Sequence, residues 1–263
     1  MNLRELAERW CADGRAAMVV EVAGHRGSVP RETGTRMLVS DAEVLGTIGG
    51  GHLELKAIEQ ARALLAGRSR VAEQHFALGP ALGQCCGGAV TLRYEPLAAE
   101  PLARWPRPAP LFTLQLYGAG HVGRAITALL AGIDCRVQWI DEREDQFPPQ
   151  ALPPHIERVC VEPVEAEVRL ASPGAFFLVL THSHDLDLAI TEAILRRGDF
   201  GYLGLIGSQT KRAKFMHRYE ARGIPPEVLA RITCPIGVPG ISGKAPEVIA
   251  VAVVAQLLQC AGG

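Results

Sequence analysis

The chain has 263 residues, of which 48% are hydrophobic and 21% are charged, and its formal net charge at neutral pH is −1. That length suits one large domain or two ordinary ones, and the balanced charge excludes bulk attraction to nucleic acid or to an anionic membrane surface. No apolar run reaches the ~18 residues that a membrane-spanning helix needs, so no membrane partner is expected.

The cysteines and the first residues bear on the cellular compartment. Seven cysteines are an odd number, and no pair has the spacing of a zinc site or of a redox C-x-x-C motif. The first ten residues follow an amphipathic helix pattern and lack the apolar core of a secretion signal. We therefore expect a cytoplasmic protein with reduced thiols.

The first half of the chain predicts an α+β domain with short strands and few helices. Alternating apolar residues predict the strands, and apolar residues at helical spacing predict a second helix after the initial one. The strands are expected at 16–23, 35–39, 44–48, 71–78 and 89–94, and the second helix at 52–65.

Glycine-rich loops of this half carry candidate ligand-binding residues. Arg31 and Arg36 flank a loop rich in glycine and proline, and Gly50 and Gly51 open the predicted helix that carries Glu54. Glycine-rich backbone offers N–H donors to phosphate or to the heteroatoms of a pterin, so these residues are candidates for one polar wall.

Cys85 and Cys86 are the most unusual feature of the first half, because they are adjacent and flanked by glycines. Such neighbours rarely bridge each other without strain, so free thiols are expected, reactive where their pKa is lowered locally. Sulfur is a soft ligand that suits molybdenum or copper(I) better than magnesium, which makes the pair a candidate molybdenum-proximal site. The alternative is that two small side chains pack a tight turn.

Five prolines in residues 96–110 predict a semi-stiff linker that is neither a helix nor a central strand. The linker separates an N-terminal domain of residues 1–95 from a second domain of residues 111–263. Strands and helices alternate in the second domain, which predicts a Rossmann-like parallel sheet and an α/β fold class for the whole chain. The strands are expected at 112–117, 135–140, 156–161, 175–180 and 201–206, and the helices at 121–131, 186–197, 208–222 and 245–259.

The clearest motif of the second domain is G-x-G-x-x-G between its first strand and first helix. Gly118 permits the tight turn, Gly120 lets backbone approach a phosphate, and Gly123 lets the helix pack closely on the strand. His121 and Val122 lie inside the motif and share its candidate site, at a helix N-terminus that attracts anions. The alternative is a tight turn without a ligand.

The end of the next strand supplies the partner expected of such a motif. Asp141 follows Gly118 by about 20 residues, the spacing at which an acid accepts hydrogen bonds from a ribose diol, and Arg143 is a candidate contact for a 2′-phosphate or another anion. The alternative is a solvated charged turn. Four prolines between Asp141 and Ile156 predict a loop where a regular Rossmann domain has its second crossover helix.

Three later segments follow predicted strands or precede helices at the same expected sheet edge. In the first, His182, Ser183 and His184 are candidates for metal binding, acid–base work or ligand contact, with helix capping as the alternative. The second segment contains Gly207, Ser208, Lys211 and Arg212, which are candidates for an anion-binding site, with a solvated helix face as the alternative. The third contains Lys244, a candidate phosphate contact, with a connecting loop as the alternative.

Taken in order, eight segments resemble the XdhC/CoxI family of xanthine dehydrogenase accessory proteins. They are GSVPRETGTRMLV (27–39), GTIGGGHLE (46–54), GQCCGG (83–88), YGAGHVGRA (117–125), WIDER (139–143), THSHDLD (181–187), GLIGSQTKR (204–212) and CPIGVPGISGKAPEVIA (234–250). The resemblance implies a chaperone that binds molybdenum cofactor, protects it during sulfuration and delivers it to apo-xanthine dehydrogenase. It also implies a cysteine desulfurase partner and a homodimer.

On this hypothesis the protein is not a turnover enzyme, and its ligand lies in the cleft between the domains. The pterin phosphate is expected at 118–123 with help from 207–212, and Cys85 or Cys86 near the molybdenum. One alternative is an NAD(P)-dependent oxidoreductase with His182 or His184 as proton donor. Another is a metal- or nucleotide-sensing regulator in which residues 181–185 bind a divalent ion.

Overall fold

The computed structural model describes residues 3–78, 88–106 and 109–262. The chain divides into two compact units, Asn2–Arg107 and Pro108–Gly263. Within the described ranges, no helix is both long enough and apolar enough to cross a membrane.

The first unit contains a five-stranded antiparallel sheet in the order β3-β2-β1-β5-β4. Helices pack on both faces of this sheet. Its elements are α1 (Leu3–Ala12), β1 (Met18–Arg26), β2 (Arg36–Val39), β3 (Val44–Gly46), α2 (Gly51–Leu65), β4 (Glu73–Ala77), β5 (Ala89–Pro96) and α3 (Ala99–Ala103).

Strand alternation divides the core of this unit into two layers. Val20 and Met37 face α2 and pack with its buried Leu53. Val19 and Leu38, one position along their strands, face the opposite way and pack with α1 and α3. Because successive side chains of a strand point to opposite faces, residues of odd and even position along β1 and β2 belong to different sides of the sheet.

The segment predicted as a linker contains the short helix α3, so the prediction that it holds no helix is wrong. Pro101 is the third residue of α3, in the first turn, where backbone N–H groups have no partner within the helix and proline therefore costs little. Leu102 and Trp105 pack with Trp10 of α1, which gives this proline-rich segment a buried apolar anchor.

The second unit is a doubly wound domain with a six-stranded parallel sheet in the order β11-β10-β9-β6-β7-β8. Helices α4 and α8 cover one face, and α5 and α6 cover the other. The elements are β6 (Thr113–Tyr117), α4 (His121–Leu130), β7 (Arg136–Asp141), β8 (Ile156–Cys160), β9 (Phe176–Val179), α5 (His184–Arg197), β10 (Tyr202–Leu205), α6 (Gln209–Ala221), α7 (Pro226–Leu229), β11 (Ile232–Thr233) and α8 (Pro246–Ala261).

This strand order is that of the Rossmann fold, and it confirms the predicted fold class. The predicted loop at the second crossover is also confirmed, since β7 and β8 are joined by a chain whose regular part is one 3-10 turn, Glu144–Gln146. The strand β11 and the helix α7 were not predicted, because two and four residues are too short to show a period.

The glycine turn after β6 is required by backbone contacts inside the protein. Gly118 has φ of +117°, and a Cβ there would lie 2.4 Å from the carbonyl oxygen of Leu180. A Cβ on Gly123 would lie 2.1 Å from the carbonyl oxygen of Gly118. Gly120 differs, because a Cβ there meets no protein atom within 4 Å. The first and third glycines therefore serve packing, and the second leaves open space over the turn.

We predict that Gly123→Ala lowers the free energy of unfolding by about 2 kcal/mol or more, because the added methyl group overlaps backbone that cannot rotate away. Gly120→Ala is the matched control and should stay within about 1 kcal/mol of the native protein, since its methyl group meets open space. Urea unfolding followed by circular dichroism measures both values. Equal stability of the two variants would contradict the packing role of Gly123.

Candidate functional site

The parallel sheet brings the carboxyl ends of its strands to one edge, where candidate residues of four segments collect. The strand order reverses between β6 and β9, and ligands of open α/β sheets bind outside the carboxyl ends at such a switch point. A shallow groove opens here, lined by Gly118, Asp141, Glu142, Thr181 and His182 among others.

Asp141 joins the glycine turn to the end of β7. Its Oδ2 accepts from the backbone N–H of Ala119 at 2.7 Å, and its Oδ1 accepts from the backbone N–H of Arg143 at 3.0 Å. The Arg143 guanidinium completes the set with one 3.0 Å hydrogen bond to each oxygen. Trp139, buried beneath the turn, donates its indole N–H to the Gly118 carbonyl at 3.0 Å.

The ionisation of Asp141 follows from this environment. Burial by itself raises the pKa of the carboxyl, but the hydrogen bonds from Arg143 and from the Ala119 backbone outweigh it and hold the pKa below its ordinary value. The carboxylate is therefore charged at neutral pH, and its charge is matched by Arg143 within a fixed pair.

A second buried carboxylate, Asp187, joins the ends of β9 and β10, and it was not among the residues predicted from the sequence. Asp187 Oδ1 accepts from the backbone N–H of Thr181 at 2.9 Å and from its hydroxyl at 2.7 Å. Its Oδ2 lies 2.5 Å from the Lys211 ammonium, which also donates to the Ile206 carbonyl at 2.8 Å. Lys211, predicted as part of an anion seat, is thus held inside the protein by Asp187.

A signal for Asp187 was present in the sequence. In the predicted helix it stands three and seven positions before Ile190 and Ile194, on the stripe that faces the core. A lone carboxylate on an apolar stripe must find donors, because a buried unpaired charge is very costly.

The residues after β9 are divided between capping and exposure. Ser183 caps α5, with its hydroxyl accepting from the Leu186 N–H at 3.4 Å. His182 is exposed at the groove, with its Nε2 at 3.6 Å from Glu142 Oε1. His184 is exposed and lies edge-on to Phe215. Within the described ranges no group of three His, Cys, Asp or Glu side chains is arranged to hold a metal ion, so the metal-sensor hypothesis receives no support from them.

The two remaining segments of this edge contain cations. Ser208 caps α6 by accepting from the Lys211 N–H at 3.2 Å, and Gly207 packs against the Lys211 side chain. Arg212, in the first turn of α6, is half-buried. Lys244 is exposed just before α8, and its loop is anchored where the Gly237 N–H donates to Gln256 at 2.8 Å.

In the first unit, Glu54 organises the glycine loop before α2. One carboxylate oxygen accepts from the Thr47 hydroxyl at 2.5 Å and from the backbone N–H groups of Ile48 at 3.0 Å and Gly50 at 3.1 Å. The Gly50 N–H, one of the donors expected to face a ligand, is therefore held by Glu54. Gly50 and Gly51 have φ of +74° and +67°, a conformation that favours glycine.

Arg36 lies on the other face of that sheet. It donates to Glu21 at 2.8 Å and stacks over the Trp105 ring at 5.0 Å. Since Arg36 has the strand parity of Leu38, it shares the layer of α1 and α3, whereas Glu54 belongs to the layer of α2. The sequence predicts one polar wall formed by Arg36 and Glu54. The structure instead places these two residues in different layers.

The candidates Cys85 and Cys86 lie outside the described residues. The described chain on either side of them is joined, because the Leu78 N–H donates to the Gly88 carbonyl at 2.7 Å. A Cβ on Gly88 would lie 2.3 Å from the Ser28 carbonyl oxygen, and one on Gly49 would lie 2.6 Å from Pro30. Gly88 and Gly49 thus both lie against the loop at 27–35.

The second unit has the strand order and the strand-end glycine turn that define a Rossmann domain. Residues 114–257 match the family described as the XdhC Rossmann domain, and residues 10–76 match the XdhC and CoxI family. The first match alone covers more than half of the chain, so the protein belongs to the XdhC family.

Two proteins illustrate the range of similarity. The Escherichia coli K12 protein described as uncharacterized protein YqeB is 31% identical over 251 residues, which are 92% of this chain but 43% of that relative. The chain therefore spans less than half the length of that relative. A crystal structure from Bacillus halodurans, described as a xanthine dehydrogenase, matches with a TM-score of 0.76 at 19% identity. The matched part covers 99% of this chain and 96% of the Bacillus halodurans chain. At that identity the likeness shows the fold.

We predict that Asp141→Asn lowers the free energy of unfolding by about 2–3 kcal/mol near neutral pH, because the amide cannot accept all the bonds of the carboxylate and leaves Arg143 without its counter-charge. The folded-state pKa of Asp141 is depressed, so its contribution is complete above the unfolded-state pKa of about 3.9 and is lost as the pH falls through the folded value.

Urea unfolding of both proteins between about pH 3 and pH 8 measures the difference, which should be constant above about pH 5 and shrink below about pH 4. Asp145→Asn is the control, because Asp145 is exposed on the same loop. A difference that grows as the pH falls would contradict the assignment.

Proposed function

We propose that the protein is an accessory factor that binds molybdenum cofactor, protects it during sulfuration and delivers it to apo-xanthine dehydrogenase. Membership of the XdhC family supports the role in xanthine dehydrogenase maturation, and the open space over Gly120 is the observation that carries cofactor binding. A cysteine desulfurase, the apo-dehydrogenase and a second copy of the chain are the proposed partners.

The residues fit the phosphate end of such a cofactor. The first turn of α4 directs backbone N–H groups and the positive end of its dipole toward the space above Gly120. The Asp141 carboxylate, which accepts from the neighbouring Ala119 N–H, is paired with Arg143, and this pairing weakens its repulsion of an anion. His121 is exposed at the same turn, and Arg212 lies in the first turn of α6, the helix that follows β10.

The fit at the molybdenum end depends on Cys85 and Cys86. When bound, the cofactor supplies a metal centre that favours soft sulfur ligands, which is the chemistry these thiols offer. Thiolates are the ligating form of cysteine. In this proposal the Rossmann unit holds the phosphate.

The alternative, an NAD(P)-dependent oxidoreductase, needs a carboxylate that is free to accept from ribose. The Rossmann fold favours it, but the four hydrogen bonds already made to Asp141 weigh against it. Turnover of a carbonyl substrate with NADH by the purified protein would support the alternative and contradict the proposal.

We predict that purified protein mixed with molybdenum cofactor retains molybdenum and pterin together through gel filtration. Gly120→Ala should weaken retention by roughly tenfold, because its methyl group occupies the approach to the N–H groups without disturbing the protein. Gly132→Ala is the control, since its Cβ also meets no atom within 4 Å but lies beyond the far end of α4. Absence of any co-eluting pterin from the native protein would refute cofactor binding.

We predict a separate effect for the thiols. Cys85→Ala or Cys86→Ala should lower molybdenum retention by roughly tenfold while leaving the unfolding curve unchanged, because the lost interaction is with the ligand. Cys260→Ala, at an exposed position of α8, is the matched control. Native retention in both thiol variants would return the pair to a packing role.

A further inference from the structure

The hydrogen bonds to Asp141 leave it no capacity for another donor. A carboxylate offers about four acceptor positions, and four donors occupy them here: two backbone N–H groups and two N–H groups of Arg143. Each oxygen receives one backbone and one guanidinium hydrogen bond, all between 2.7 and 3.0 Å.

This position has a defined task in nucleotide-binding Rossmann domains. The acid at the end of the second strand accepts hydrogen bonds from the ribose hydroxyls of the bound nucleotide. A diol reaching Asp141 would have to displace the Arg143 fork, which is a charge-assisted bidentate pair and among the stronger hydrogen-bonded contacts in proteins.

Exposure and charge point the same way. The Asp141 side chain is 3% exposed and that of Arg143 is 31% exposed, so an incoming ligand meets the guanidinium before it meets the carboxylate. A phosphate needs no acceptor from the protein, because the donors at the start of α4 suffice.

We propose that Arg143 closes the ribose subsite of this Rossmann unit, so that the site selects a phosphate monoester and rejects a nucleotide that depends on its ribose diol. This rests on the proposed function and deepens it: the ligand is the monophosphate pterin form of the molybdenum cofactor, and the dinucleotide form, which carries a ribose, is discriminated against. Arg143 is thus a specificity-determining residue.

Calorimetric titration with ADP and with 2′,3′-dideoxy-ADP isolates the contribution of the diol. The native protein should bind the two with equal affinity or bind neither. Arg143→Ala keeps both backbone donors of Asp141 and frees two acceptor positions, so it should bind ADP roughly tenfold more tightly than the dideoxy compound. Arg136→Ala, which removes an exposed arginine at the opposite end of β7, should behave as the native protein.

Two results would overturn the proposal: a native protein that prefers ADP to its dideoxy analogue by tenfold, or a folded Arg143→Ala variant that shows no preference. Should that variant fail to fold, Arg143→Lys keeps the charge, removes the bidentate fork and decides the point in the same way.

Gel filtration of the native protein with each form of the cofactor separates the two proposals. Retention of the monophosphate form alone supports both, equal retention of both forms overturns the selectivity, and retention of neither overturns cofactor binding while the nucleotide titrations still decide the role of Arg143.

Discussion

The Rossmann unit depends on buried carboxylates that must satisfy every acceptor position from the strand ends around them. Asp141 ties the turn after β6 to the end of β7, and Asp187 ties the end of β9 to the end of β10 through Lys211. The two lie on either side of the switch point. An unmatched buried charge is so costly that each carboxylate fixes the backbone that supplies its donors, and the sheet edge is therefore shaped before any ligand arrives.

The same constraint explains why the elements could be predicted and the site only in part. Strands and helices follow local periods, so the positions of β6, α4 and β7 were predicted within a residue or two. The glycine turn has a local steric cause and was also readable. The hydrogen bonds that a carboxylate makes do not follow from local periods. The spacing of Asp141 and Arg143 does not show whether the acceptor positions of Asp141 are free for a ribose or already occupied by Arg143. Asp187 was overlooked although its place on an apolar stripe marked it.

The first unit shows a complementary limit of pattern reasoning. Arg36 and Glu54 border glycine-rich loops and were grouped by composition, yet strand parity sends Arg36 to the α1 layer, while α2 holds Glu54. The short helix α3 was not predicted, because the prolines of residues 96–110 were taken to exclude a helix throughout that segment. The first turn of a helix nevertheless accepts a proline, as α3 does at Pro101. Gly49 and Gly88 do both lie against the loop at 27–35, and Gly88 adjoins in sequence the segment that carries the paired thiols.

The glycines of the turn thus differ, because Gly118 and Gly123 serve the fold and Gly120 leaves open space, where we propose that the phosphate binds. A crystal structure of the protein with purified molybdenum cofactor is the most direct test. We expect the cofactor phosphate on the backbone N–H groups at the start of α4, with the Arg143 fork still closed on Asp141. Density for ligand hydroxyls on Asp141, with Arg143 displaced, would contradict it.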